Sequence, residues 1–337
     1  MRGLKHMRKT RFRRQACPKA TGLASILSLA VAAGLLMSSC FLDADPSEPG
    51  YPSTLMATID LDTLGLLLDC ASTTTGALLV SGGSRAAAIR LDDGTLLDIL
   101  ELGSAVCDLG DTDAAGFAYI LTDDRLTPVS LSSWELQTPV PLGVGCLYTT
   151  VSPEAGKAWV VDQSDGISEV DLATGDVQTV PGKPVSDCMG LACSEEGSAL
   201  FAVDGAENAV VRLSTSDWTV SGRLDLGGQA IDLFRGPAGF ICCIVEGSNE
   251  IWFIDAETCT LTLMTTIPDV PLAAAVMPDR SFSYASCPGT GLVVVSSSGQ
   301  IEFRNADMGF PTSISISGDG NRVALCCPDE GVVRLLD

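Results

Sequence analysis

The chain has 337 residues, of which 20 are basic, 42 acidic and only one, His6, a histidine. A net charge of −22 repels phosphate backbones, which argues against a nucleic-acid partner. With no imidazole after residue 6, the rest of the chain can build neither a Ser-His or Cys-His nucleophile nor a His-ligated metal centre.

Residues 1–39 carry eight Lys/Arg and no acid, and include the apolar run "GLASILSLAVAAGLLM" (22–37). That run is shorter than the roughly 20 residues a membrane-spanning helix needs. A basic stretch, a short apolar stretch and small residues after it predict a secretory signal. The segment ends "LLMSSC" (35–40), which resembles the lipobox of bacterial lipoproteins, with Met37 where Leu is commoner. The resemblance implies cleavage before Cys40, lipidation (palmitate among the acyl groups) of that cysteine, and a place on the outer side of a bacterial membrane, periplasmic or cell-surface. "FLDADPSEPGYPS" (41–53) has three prolines and no periodicity, so residues 40–53 read as a tether. Removing the signal takes eight of the 20 basic residues, leaving 12 against 42 acids, or about −30. Anionic headgroups are then repelled, so the lipid is the only expected membrane attachment.

From residue 54 the chain repeats itself. "GALLVSG" (76–82), "GFAYILT" (116–122), "GKAWVVD" (156–162), "GSALFAV" (197–203), "GFICCIV" (239–245), "RSFSYAS" (280–286) and "GNRVALC" (320–326) start 40 to 42 residues apart. Six begin with Gly, which suits a tight turn needing positive φ; the sixth has Arg280 instead. Each is followed by a second apolar run and a third, such as "DVQTVPG" (176–182), and is preceded by another, such as "CMGLACSEEG" (188–197). Four short strands per roughly 40 residues, seven times over, predict an all-β, seven-bladed β-propeller spanning 54–337. The last repeat stops at "GVVRLLD" (331–337), one strand short, while "TLMATIDLD" (54–62) is a strand without a blade. The expectation is that this N-terminal strand completes the last blade and closes the ring, which removes an open sheet edge. "SPEAGKAWVVDQSDGISEVDLATGDV" (152–177), and more weakly 194–218 and 317–327, resemble the YVTN-type propellers of bacterial surface and periplasmic proteins. "WVVD" (159–162) stands where the tetrapeptide would be.

Loops joining fourth to first and second to third strands gather on one face, here the top. Cys107, Cys146 and Cys188 begin inner strands of three consecutive blades, and Cys287 and Cys327 fall in matching top-loop positions of blades 6 and 7. Close packing, disulfides in an oxidising compartment, and a thiolate metal or redox site are three readings of this set; no CxxC spacing supports the last. Asp123, Asp124, Asp162, Asp165, Asp204, Glu207, Glu246, Glu250, Asp329 and Glu330 also fall in top loops. They read either as a negative ring for a basic partner or as ordinary turn residues of an acidic protein. No stretch has calcium-loop spacing on that face, and no metal or cofactor is expected. The expected function is a non-enzymatic interaction module recognising a protein, peptide or glycan. The alternative is a carboxylate- or metal-dependent hydrolase resembling propeller lactonases.

Overall fold

The computed structural model describes residues 51–337, Ala238 and Pro288 apart; the signal, Cys40 and most of the tether lie outside them. Within these residues, 28 strands form seven antiparallel sheets of four. Blade 1 is β2–β5 (67–101), blade 2 β6–β9 (106–141), blade 3 β10–β13 (146–179) and blade 4 β14–β17 (188–225). Blade 5 is β18–β21 (230–266), blade 6 β22–β25 (273–305) and blade 7 β26–β28 (313–336) together with β1 (Leu55–Asp60).

Position within a blade decides how each strand is patterned. A second strand is covered on both faces by neighbouring blades, so it reads as an unbroken apolar run. β15 (Ala199–Asp204, ALFAVD) and β23 (Phe282–Cys287, FSYASC) are buried throughout. An outer strand such as β17 (Val220–Asp225, VSGRLD) meets solvent on one side and is polar or half-exposed along its length. The core is accordingly a set of seams between blades. In the seam between blades 4 and 5, for instance, Phe201 and Val203 pack with Ile241, Cys243 and Ile254.

The turns between first and second strands repeat one device. Gly76, Gly116, Gly156, Gly197, Gly239 and Gly320 have φ between 62° and 84°, and Arg280 takes the same place with φ 63°. Ahead of these positions a side-chain oxygen receives a backbone N–H across the turn: Ala77 donates to Thr73, Phe117 to Asp113, Ala155 to Ser152, Ala199 to Ser194 and Arg322 to Ser317. The turns between third and fourth strands also need a left-handed residue. Gly94, Gly175 and Gly299 supply it in three blades, but Trp134, Trp218 and Cys259 do so in three others.

The ring closes where the two ends of the fold meet. β1 pairs with β28 (Val332–Leu336) from Leu55 opposite Leu336 to Asp60 opposite Val332, and it forms the outer edge of blade 7. The Ser53 and Thr54 N–H groups donate to the Asp337 carbonyl at 3.0 and 3.1 Å, and the Asp337 N–H donates back to Thr54. The N-terminal strand does complete the last blade.

Candidate functional site

Two ends of the central channel are built differently. At the top, three inner strands place an aspartate at a bulge near their start: Asp69 in β2 (Leu67–Ser72), Asp108 in β6 (Val106–Gly110) and Asp232 in β18 (Ala230–Arg235). Tyr148 takes that place in β10 (Cys146–Ser152). Backbone and hydroxyl donors from the same or the next inner strand hold the carboxylates. Ser313 Oγ donates to Asp69 Oδ1 at 2.6 Å, the Thr149 N–H to Asp108 Oδ2 at 2.8 Å, and the Leu233 N–H to Asp232 Oδ1 at 2.8 Å. Sequence reasoning over the loops passed these three by, although "LLD", "VCD" and "AID" recur at one place in the repeat.

At the bottom, Arg235 ends β18 and reaches across the ring. Its Nη2 pairs with Asp111 of blade 2 at 3.0 Å, and its Nη1 donates to the Val151 carbonyl of blade 3 at 3.2 Å and approaches Cys193 Sγ of blade 4 at 4.0 Å. One side chain from blade 5 thus bridges to the three blades before it and bolts the lower end of the channel.

Of the ten predicted top-loop acids, seven sit in turns between second and third strands of blades 2, 3, 4, 5 and 7. Asp162 and Asp204 instead end β11 (Lys157–Asp162) and β15, and Glu250 begins β20 (Glu250–Asp255), because strand pairing runs on to these residues. Most are engaged inside the protein. Arg125 grips Asp124 with two bonds of 2.8 and 2.7 Å, which holds that carboxyl below its ordinary range. Arg334 does the same to Glu330. Asp165 is buried, which pushes its pKa up, yet the Lys183 ammonium at 2.9 Å and the Cys188 N–H win and the net direction is down. Arg223 reaches Asp204 at 3.9 Å and Glu207 at 2.9 Å. Asp162 caps its own turn through the Ser164 and Gly166 N–H groups, and Glu250 accepts from Trp252 Nε1. Three remain whose carboxylates take no partner among the described residues: Asp123, which is half-buried, and the exposed Glu246 and Asp329.

The predicted cysteine set also resolves into individual environments. Cys146 and Cys188 open β10 and β14 (Cys188–Cys193), and Cys107 is the second residue of β6. Cys287 and Cys327 do not lie in loops: they are the last residues of β23 and β27 (Val323–Cys327), because pairing continues to Gly291 and Val332 opposite them. Cys146, Cys188, Cys287 and Cys327 point their thiols at the carbonyls of Gly143, Gly190, Asp269 and Met308, at 3.2 to 3.8 Å. Cys107 is the half-buried member and turns toward the Ala105 carbonyl at 3.9 Å. Burial pushes the Cys146, Cys188 and Cys287 thiols up to about 12. No disulfide joins the described cysteines, and among the described residues no group of three or more Cys, Asp or Glu could hold a metal ion.

No protein-family model matches the sequence, and no curated protein matches it. Solved structures do. A chain of a mitotic checkpoint complex superposes with a TM-score of 0.70 at 14% identity, covering 93% of this chain and 98% of that one. The β-propeller domain of Cps50 (Swd1) from Myceliophteria thermophila also reaches 0.70, at 11% identity, covering 85% of this chain and 99% of its own. The fold is a seven-bladed β-propeller. At these identities the likeness speaks for fold alone.

Proposed function

We propose that this propeller is an exported lipoprotein of the YVTN type, anchored through Cys40, whose top face recruits a basic partner protein, peptide or glycan without performing catalysis. The observation that carries the reading is the set Asp123, Glu246 and Asp329, whose carboxylates have no partner among the described residues. They stand in top-face turns of the ring whose inner strands carry Asp69, Asp108 and Asp232 near their upper ends. In a protein this rich in acid, carboxylates left without cations on one face favour positive ligands and steer their approach. Tyr51 packs on Phe282 at 4.7 Å and lies with the first-to-second turns of blades 1 and 7, on the bottom.

The test has two arms in native cells. Labelling with a palmitate analogue should mark the wild type and not Cys40→Ser. Chemical crosslinking of the lipidated protein followed by mass spectrometry should then recover a reproducible basic partner. The triple change Asp123→Asn, Glu246→Gln, Asp329→Asn should lower that recovery at least tenfold with an unchanged thermal midpoint. A partner recovered equally by the triple variant would sink the top-face reading.

A further inference from the structure

Arg280 stands where six other repeats have glycine, and it holds the left-handed conformation that glycine adopts freely. For a residue with a Cβ that conformation is strained. The guanidinium lies 5.3 Å from the centre of the Phe240 ring, which meets Phe253 edge-on with 6.3 Å between centroids. Six other arginines, at 85, 90, 125, 223, 235 and 334, each hold a carboxylate. Among the described residues the Arg280 side chain pairs with none and donates no hydrogen bond, in a protein where acids outnumber bases two to one.

The ring and the guanidinium border a cleft of about 330 Å³ between blades 5 and 6 on the bottom face, with Leu263 forming part of its wall. That is at the small end of ligand cavities. Thr265 and Ser283 also line it; they are 4% and 5% exposed, and among the described residues their hydroxyls make no hydrogen bond. Both residues bring a hydroxyl to the cleft wall, where it can bond a polar ligand. Asp279 lines the cleft as well. Its Oδ1 accepts the Ser281 hydroxyl and N–H, bonds that hold its pKa below the ordinary range and keep it charged. Among the described residues that line the cleft Arg280 alone is cationic, so it is the group to which a ligand carboxylate is drawn.

We propose that this cleft binds an acidic segment of a partner protein, one carboxylate on the Arg280 fork and a neighbouring apolar side chain against Phe240, Phe253 and Leu263. The hydroxyls of Thr265 and Ser283 serve the peptide backbone. Charge complementarity selects the occupant: a free, planar guanidinium already laid on an aromatic ring has its donors set for a carboxylate. The site is on the opposite face from the acidic rim and does not depend on the top-face reading.

Fluorescence anisotropy on the full chain tests it, with a labelled Ser-Leu-Asp-Phe-Glu-Ser peptide and its Asn/Gln counterpart as probes. The acidic peptide should bind saturably, more weakly as salt rises, and at least tenfold tighter than the amide peptide. Arg280→Gly should weaken it at least tenfold without lowering the thermal midpoint, because glycine relieves the backbone. Arg280→Lys should recover only part of the affinity, since the ammonium lacks the planar fork. Equal binding by wild type and Arg280→Gly, or no saturable binding, overturns the site. So does displacement by inorganic phosphate at the same concentration as by unlabelled peptide, which would reduce it to simple anion binding. Binding seen only after Asp43, Asp45 and Glu48 are changed to amides would overturn the partner reading in favour of the chain's own acidic stretch.

Discussion

At Gly197 the backbone turns with φ 69°, and a Cβ there would lie 2.6 Å from Ala155 Cβ and 2.9 Å from Ser152 Oγ. Conformation and space forbid a side chain together. Gly197→Ala should cost about 2–4 kcal/mol, one part from the left-handed backbone and one from overpacking between blades 3 and 4, as read from urea unfolding midpoints. Gly76, which has the same conformation and nothing within 4 Å, should tolerate alanine with only the backbone part of that loss. Glycines of this kind were legible in the sequence because their spacing repeats. Trp134, Trp218 and Cys259 were not: they occupy left-handed turn positions that glycine holds in other blades, and a bulky residue in that role leaves no local signature. The channel aspartates escaped for a different reason. Asp69, Asp108 and Asp232 sit inside strands, where a search of loops does not look.

At the scale of a strand, β28 is the element on which blade 7 depends. It pairs with β27 on one edge and β1 on the other, and Val333, Leu335 and Leu336 are fully buried. Burying such side chains contributes about 1.5–3 kcal/mol each, so the three approach the whole stability of a domain, about 5–15 kcal/mol. Removing residues 332–337 should abolish the cooperative thermal transition, followed by circular dichroism; a chain that still melted sharply would show that the ring tolerates a missing closure. This closure was readable because an orphan strand at each end of a counted repeat has one economical solution. The bolt at the channel floor was not, because Arg235 and Asp111 belong to blades 5 and 2 and only the finished ring brings them together.

For the molecule as a whole, the buried thiols make stability depend on pH in an unusual range. Burial pushes Cys193 up to about 11 and Cys146, Cys188 and Cys287 up to about 12, from an unfolded value of 9.0; Cys70, Cys242 and Cys243 move in the same direction. Between 9 and those values the folded chain keeps protons that the unfolded chain releases, so stability is full below pH 9 and falls as pH rises. Each thiol forfeits roughly 1 kcal/mol by pH 10. Seven together should bring unfolding near pH 10–11 under a reductant, with the urea midpoint flat between pH 7 and 8.5. A flat midpoint to pH 11 would mean that the thiols ionise in place. The same burial explains why the sequence could not choose among packing, disulfides and a thiolate site: thirteen cysteines in 337 residues show abundance, and only the strands show where each sulfur points.

The closure of blade 7 carries a mechanical meaning. β1 is an edge strand paired with β28 alone in its sheet, and it is the first strand the chain forms after Tyr51. A force on the segment ahead of Tyr51 is therefore delivered through the contacts of Tyr51 and Pro52 with blade 6 to this closing strand. Whatever tugs on this protein from its N-terminal side tugs on its clasp, and the propeller would open as a bracelet does before any blade tears.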